Sequence, residues 1–117
     1  MKFVCLVYLE ETTMQALTPA EQKSLDERSL AFDRDLAHRG HLIAAEALQP
    51  VTAAKTIKAR QDSLSVTDGP FAETKEHLGG FILLNARDLD EAVQIAGKIP
   101  IAQLGTIEVR PIMTIGG

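Results

Sequence analysis

Two short runs of this chain are apolar on both sides of a strand. Lys2–Leu9 places Phe3, Cys5, Val7 and Leu9 on one side and Val4, Leu6 and Tyr8 on the other. Residues 81–85 repeat the pattern through Phe81, Ile82, Leu83 and Leu84. A half-wetted strand alternates apolar with polar residues, so unbroken runs bounded by polar residues mark central strands covered above and below. The chain has 117 residues, 45% of them apolar. That is the bulk of a single domain, 1–117, able to build a core without staples. Whatever the fold, it must give two strands neighbours on both edges and shelter on both faces.

Between these runs the punctuation is regular. After a polar loop, Thr18-Pro19-Ala20-Glu21 combines a capping threonine, proline at the first helical position and glutamate three residues past the cap. The helix that follows turns Leu25, Ser29, Phe32 and Leu36 inward and Glu27, Arg28, Asp33, Arg34 and Asp35 mostly to solvent. His38 and Arg39 suit the dipole in its last turn, and Gly40 supplies a left-handed stop. Residues 41–48 read as a strand ended by Pro50. Residues 56–60 and 63–67 read as a hairpin turning at Gln61-Asp62; its Lys55, Lys58 and Arg60 are either a small anion patch or charges blunting a sheet edge. A loop over 68–80 leads into the second central run. Asp88-Leu89-Asp90-Glu91 repeats the capping pattern, with Leu89, Ala92, Val93, Ala96 and Ile99 as a helical stripe before Pro100. Residues 106–112 alternate Ile107 and Val109 against Glu108 and Arg110, with Pro111 admissible near a strand end.

The resulting order predicts an α+β fold, the ferredoxin-like βαββαβ plan with an inserted β-hairpin. In that plan the first and third core strands are central, and these are the two most apolar strands here. Two helices cover only one face of such a sheet. Either Val4, Leu6 and Tyr8 or Phe3, Cys5 and Val7, with neighbours from 81–84, are then left as an apolar patch too large for a monomer. A second copy packed face to face is the economical cover, which predicts a homodimer forming a dimeric α+β barrel.

Composition excludes several classes. The chain carries 12 basic and 16 acidic residues, a net charge of −4 and a pI near 5.3, so no global positive field draws it to nucleic acid. No apolar run approaches the ~20 residues of a membrane span, and the N-terminus has no signal-peptide pattern. The expectation is a cytoplasmic protein without a membrane partner. One cysteine excludes an internal disulfide, and three histidines give no zinc-type spacing. No metal, nucleotide loop or other cofactor is expected. Cys5 lies mid-strand without a basic neighbour and reads as an inert core thiol.

The run TDGPFAETKEHLGGF, residues 67–81, resembles the signature of the DGPF family within the YCII-related group. The opening KFVCLVYLE, the segment ending EALQP, the helix after Asp88 and the closing IEVRPI resemble their counterparts too, so the likeness spans most of the chain. The resemblance implies a ferredoxin-like homodimeric α+β barrel of largely unassigned activity. Its relatives resemble barrel enzymes acting on small aromatic or lactone compounds, and some are linked to sigma factors. It also implies, for enzyme-like relatives, a histidine of the first helix paired with an aspartate after the second. Here the first helix has no histidine before His38, and residues 97–105 contain no aspartate, so that pair does not transfer.

Chemistry therefore has to come from the loop. Asp68, Glu73, Lys75, Glu76 and His77 crowd five titratable groups beside paired glycines. One functional assignment is proton transfer on a small organic anion, with Asp68 or His77 as base and Lys75 as the electrostatic stabiliser. Glu73, Glu76, Phe71, His41 and Arg110 are the accompanying candidates for ligand contact. The structural assignment is as direct: Asp68 in a turn, Phe71 anchoring the loop in apolar surroundings, Lys75 paired between Glu73 and Glu76, and Arg110 paired with Glu108. A homodimeric small-molecule-binding or accessory domain is the leading function, and an acid–base enzyme the alternative.

Overall fold

The computed structural model describes residues 1–116. In chain order the elements are β1 (Lys2–Leu9), α1 (Glu11–Gln15), α2 (Pro19–His38), β2 (Leu42–Ala47), β3 (Lys55–Arg60), β4 (Ser63–Asp68), β5 (His77–Asn85), α3 (Leu89–Ala96) and β6 (Thr106–Pro111). Short 3₁₀ turns occupy Val51–Ala53 and Pro100–Gln103. Four strands form one antiparallel sheet in the order β2-β5-β1-β6, and β3 pairs with β4 in a separate two-stranded sheet. The four-stranded order is that of the ferredoxin-like plan, with the doubly apolar strands β1 and β5 at its centre.

The faces of β1 divide as strand periodicity demands. Phe3, Cys5 and Val7 point into a core closed by Leu36 of α2, Ile82 and Leu84 of β5, and Ala92, Ile95 and Ala96 of α3. Val4, Leu6 and Tyr8 point the other way. Register places Leu83 opposite Val4 and Phe81 opposite Leu6, so this second face is apolar and half-buried by its own neighbours. The molecule is only 19 Å across its thin axis, room for one helix layer on one sheet layer. Of the two faces the sequence left open, the Val4 face is the one without helices.

Local chemistry explains the ends of the helices. Thr18 Oγ1 accepts from Glu21 N at 3.1 Å while Glu21 Oε1 accepts from Thr18 N at 2.9 Å, a complete capping box. Gly40 adopts φ +80° and stops α2, as only glycine does without strain. Asp88 caps α3 through Glu91 N at 2.9 Å, but Glu91 returns its carboxylate to Arg87 N at 2.8 Å, one residue before the cap.

Three expectations need correction. The polar stretch after β1 is not all loop: Glu11–Gln15 form a helical turn, with Glu11 Oε1 accepting from Val51 N at 3.3 Å. The inward stripe of α3 is Ala92, Ile95 and Ala96, with Ile99 buried just past its end; Leu89 and Val93 are exposed, because α3 is rotated to put its small alanines against the sheet. The stretch 68–80 is shorter as a loop than its composition suggests. Asp68 ends β4 and His77–Gly80 already belong to β5, paired with β1 and β2. At Gly80 a Cβ would stand 2.9 Å from the Glu46 carbonyl oxygen, so β2 lies as close as it does only because the residue is glycine.

Candidate functional site

A cleft of about 480 Å³ opens between α2 and the β2–β5 side of the sheet. Its floor is Val7, Ile82 and the glycines at 79 and 80; its roof is Ser29, Phe32 and Asp33 of α2, and Ile99 to Ile101 close one end. It exists because α2 crosses the sheet with a serine, not a large side chain, at the inward position 29, and because β5 presents glycines where side chains would otherwise fill the gap. The volume falls in the range of small-molecule sites.

The side chains lining the cleft are apolar except for Ser29 and the carboxylates of α2. Asp26 and Asp33 of α2 line it; Glu46 borders it with its backbone, its side chain lying opposite Phe81 on the helix-free face, and no lysine, arginine or histidine is in the lining. Asp33 is half-buried, and burial alone pushes its carboxyl above the usual carboxylate range. A carboxyl held this way beside apolar walls accepts a hydrogen bond from a ligand, or passes a proton to it, more readily than an exposed one. By periodicity alone Asp33 falls mostly toward solvent; in the structure it is half-buried at the cleft, because α2 crosses the sheet there. A signal for it was present: Asp26, Ser29 and Asp33 are spaced three and four apart, which lines them up along one edge of the buried stripe.

A neighbouring cleft of about 390 Å³ shares Leu9 and Gly79 with the first. Glu11, Met14, Gln22, Leu48, His77 and Leu78 line it. The short helix α1 is what brings Glu11 and Met14 to the same opening as His77.

The residues flagged in the sequence do not gather into one site within the chain. Asp68 is exposed and pairs with Lys55 across the base of the β3–β4 sheet. His77 Nδ1 lies 3.3 Å from Thr74 Oγ1, and His77 lines the second cleft. Glu76 accepts from Thr106 Oγ1 at 2.9 Å. Lys75 and Glu73 are exposed, and among the described residues no ion pair joins Lys75 to Glu73 or Glu76, which replaces the paired cluster expected of them. Phe71 is 84% exposed, so it does not anchor the loop in apolar surroundings within this chain. His41 Nδ1 contacts Asn85 O at 2.9 Å, at the opposite end of β5 from His77. Arg110 Nη2 pairs with Glu108 Oε1 at 2.9 Å on the helix-free face. Cys5 is fully buried, and burial pushes its thiol up to about 11, which leaves it protonated and unreactive. Among the described residues, no three histidine, cysteine, aspartate or glutamate side chains stand close enough to hold a metal ion, and no helix is long and apolar enough to cross a membrane.

Small ferredoxin-like α+β domains with one sheet face bare of helices and a cleft under the longer helix are the class this chain falls in. Within that class it belongs to the YCII-related family, whose YCII-related domain matches residues 1–115. Uncharacterized protein R00369 of Rhizobium meliloti (strain 1021) is similar at 36% identity over 114 residues, covering 96% of this chain and 92% of the relative. Among solved structures the fold is similar to 5-chloro-2-hydroxyhydroquinone dehydrochlorinase from Burkholderia phenoliruptrix AC1100, in complex with 2,5-dihydroxybenzoquinone. That likeness has a TM-score of 0.56 at 16% identity, over 97% of this chain and 94% of the other. It is a likeness of fold.

Proposed function

We propose that this chain is a homodimeric small-molecule-binding domain of the DGPF type, with an accessory or regulatory role, and that its ligand occupies the cleft beneath α2. The observation that carries this is the composition of the cleft: apolar walls, the two α2 carboxylates Asp26 and Asp33, and no cation. Such a site favours a compact neutral or cationic molecule with a hydrogen-bond donor turned to Asp33, and works against the anion considered from the loop composition. The signature at 67–81 supports the DGPF assignment. The apolar Val4, Leu6, Tyr8, Phe81 and Leu83 face supports the dimer, since a helix-free sheet face of this kind is costly to leave in water.

An acid–base enzyme is the second reading, and the raised carboxyl of Asp33 is what favours it. The solved dehydrochlorinase is named for a small hydroxylated aromatic compound, a size that the 480 Å³ cleft accommodates. In this reading Asp33 exchanges a proton with a ligand held against Phe32 and Ile82, and His77 and Glu11 line the adjoining cleft.

A thermal-shift screen of small phenols, amines and aromatic carboxylates tests the site. The expected result is stabilisation by members of the first two groups and loss of that response in Asp33→Asn. Stabilisation by carboxylates only, or an Asp33→Asn variant that responds as the parent does, overturns the assignment. Turnover of a stabilising compound by the parent and not by Asp33→Asn favours the enzyme; binding without turnover favours the binding domain.

A further inference from the structure

The β3–β4 sheet is amphipathic by construction, and its apolar side is exposed. Register sets Ile57 opposite Val66 and Ala59 opposite Leu64, so these four side chains share one face; Lys58, Arg60, Ser63 and Ser65 share the other. In the single chain Ile57 is 64% exposed, Leu64 68% and Val66 56%, and the nearby Phe71 is 84% exposed. Alternation of this kind marks a strand pair with one dry face. A two-stranded sheet is at best marginally stable alone in water. Its hydrogen bonds beyond the ladder stay at its own base: Gly69 N donates to Ala54 O at 2.8 Å and Thr56 Oγ1 to Gly69 O at 2.8 Å.

The pair of strands also stands away from the rest of the molecule. The radius of gyration is 16.3 Å, against about 13 Å for a compact chain of this length. With a thin axis of 19 Å, the strands extend beside the four-stranded sheet and do not fold over its open face, where a third layer adds ~10 Å. They form an arm.

We infer that this arm docks on a second copy of the chain, each laying Ile57, Leu64 and Val66 along the rim of the other's open sheet face. The inference rests on the dimer proposed above and extends it. Area is the reason for choosing a second copy. The open face, four strands wide and about six residues long, has a footprint of ~400 Å², about half the ~800 Å² that each partner gives to a stable interface. An arm contributes ~200 Å² of its own and covers a similar area of its neighbour, which brings the contact to standard size. A two-fold axis through the sheet faces makes the exchange reciprocal, so both unpartnered apolar surfaces of the chain find cover in one assembly.

Analytical ultracentrifugation of the full chain over a range of concentrations tests this, with Leu64→Asp/Val66→Asp in the arm and Leu6→Asp on the sheet face. The arm side chains are exposed in one copy, so circular dichroism of the arm variant should match the parent. The expected result is a dimeric parent and a folded arm variant whose dissociation constant rises at least about tenfold. Hydrogen exchange is the second measurement, and arm amides should gain protection as the parent dimerises. A dimeric parent whose dissociation constant is unmoved by the arm variant, or whose arm amides stay unprotected, overturns arm docking and leaves the sheet contact standing. A parent that is monomeric throughout overturns both, and a dimer that Leu6→Asp leaves unchanged overturns the sheet contact on which the arm depends.

Discussion

Asp33 and the capping carboxylates titrate with opposite consequences for folding. Burial raises the Asp33 carboxyl above its usual 3.8, so the native state holds that proton more tightly than the unfolded chain does. Stability then declines as pH rises from that usual value through the folded one, and at neutral pH the ionised group works against the fold. Asp33→Asn should therefore melt above the parent at about pH 7 and level with it at about pH 3, by differential scanning calorimetry. Coincident melts at both would mean that the carboxylate is solvated after all. Glu21 behaves the other way. The Thr18 backbone N–H, then its hydroxyl, hold the Glu21 carboxyl below its usual 4.5. Its contribution is present above that value and is lost as pH falls through the lower, folded one. Asp88, lowered first by the Glu91 N–H, follows the same sign. The caps were legible in the sequence because they depend on residues three apart. The spacing of Asp33 from Asp26 and Ser29 places it at the edge of the buried stripe, but the apolar surroundings that raise its carboxyl come from residues such as Ile99 to Ile101, which sequence separation hides.

Elements whose signals are local match their readings closely. The helix from Pro19 runs to His38, stopped by Gly40, and Thr18→Ala should cost about 1 kcal/mol in urea denaturation by removing the Thr18 Oγ1 half of the capping box. A change within a few tenths of the parent would mean that packing of Leu25 and Leu36 alone holds the first turn. Elements that depend on distant partners were misplaced. β5 begins at His77, four residues before its apolar run, because β1 and β2 pair with His77 to Gly80 whatever their side chains. The five-residue α1 is too short to persist alone; Glu11 ties it to Val51, forty residues away. The stripe of α3 lies one position round from the expected one, since alanines allow a closer approach to the sheet than Leu89 and Val93 would.

At the scale of the molecule, one sheet face carries the helices and the core, and the other carries Val4, Leu6, Tyr8, Phe81 and Leu83 without them. If a second copy covers that face, the melting temperature should rise with protein concentration, because dissociation accompanies unfolding. A midpoint independent of concentration over two orders of magnitude, about 100-fold, would count against the assembly. The amino-acid sequence by itself determined which strands are central, where the long helix starts and stops, and that some apolar sheet surface would lack a helix, because periodicity, caps and doubly apolar runs act within a few residues. Only the tertiary structure decided which face is bare, that Asp33 and not the loop carboxylates borders a cleft, and that Phe71 and the Ile57, Leu64 and Val66 face stand uncovered. Burial and electrostatic environment are set by the crossing of α2 over the sheet and by the reach of the arm, and those distances are fixed by the packing of residues remote in the chain.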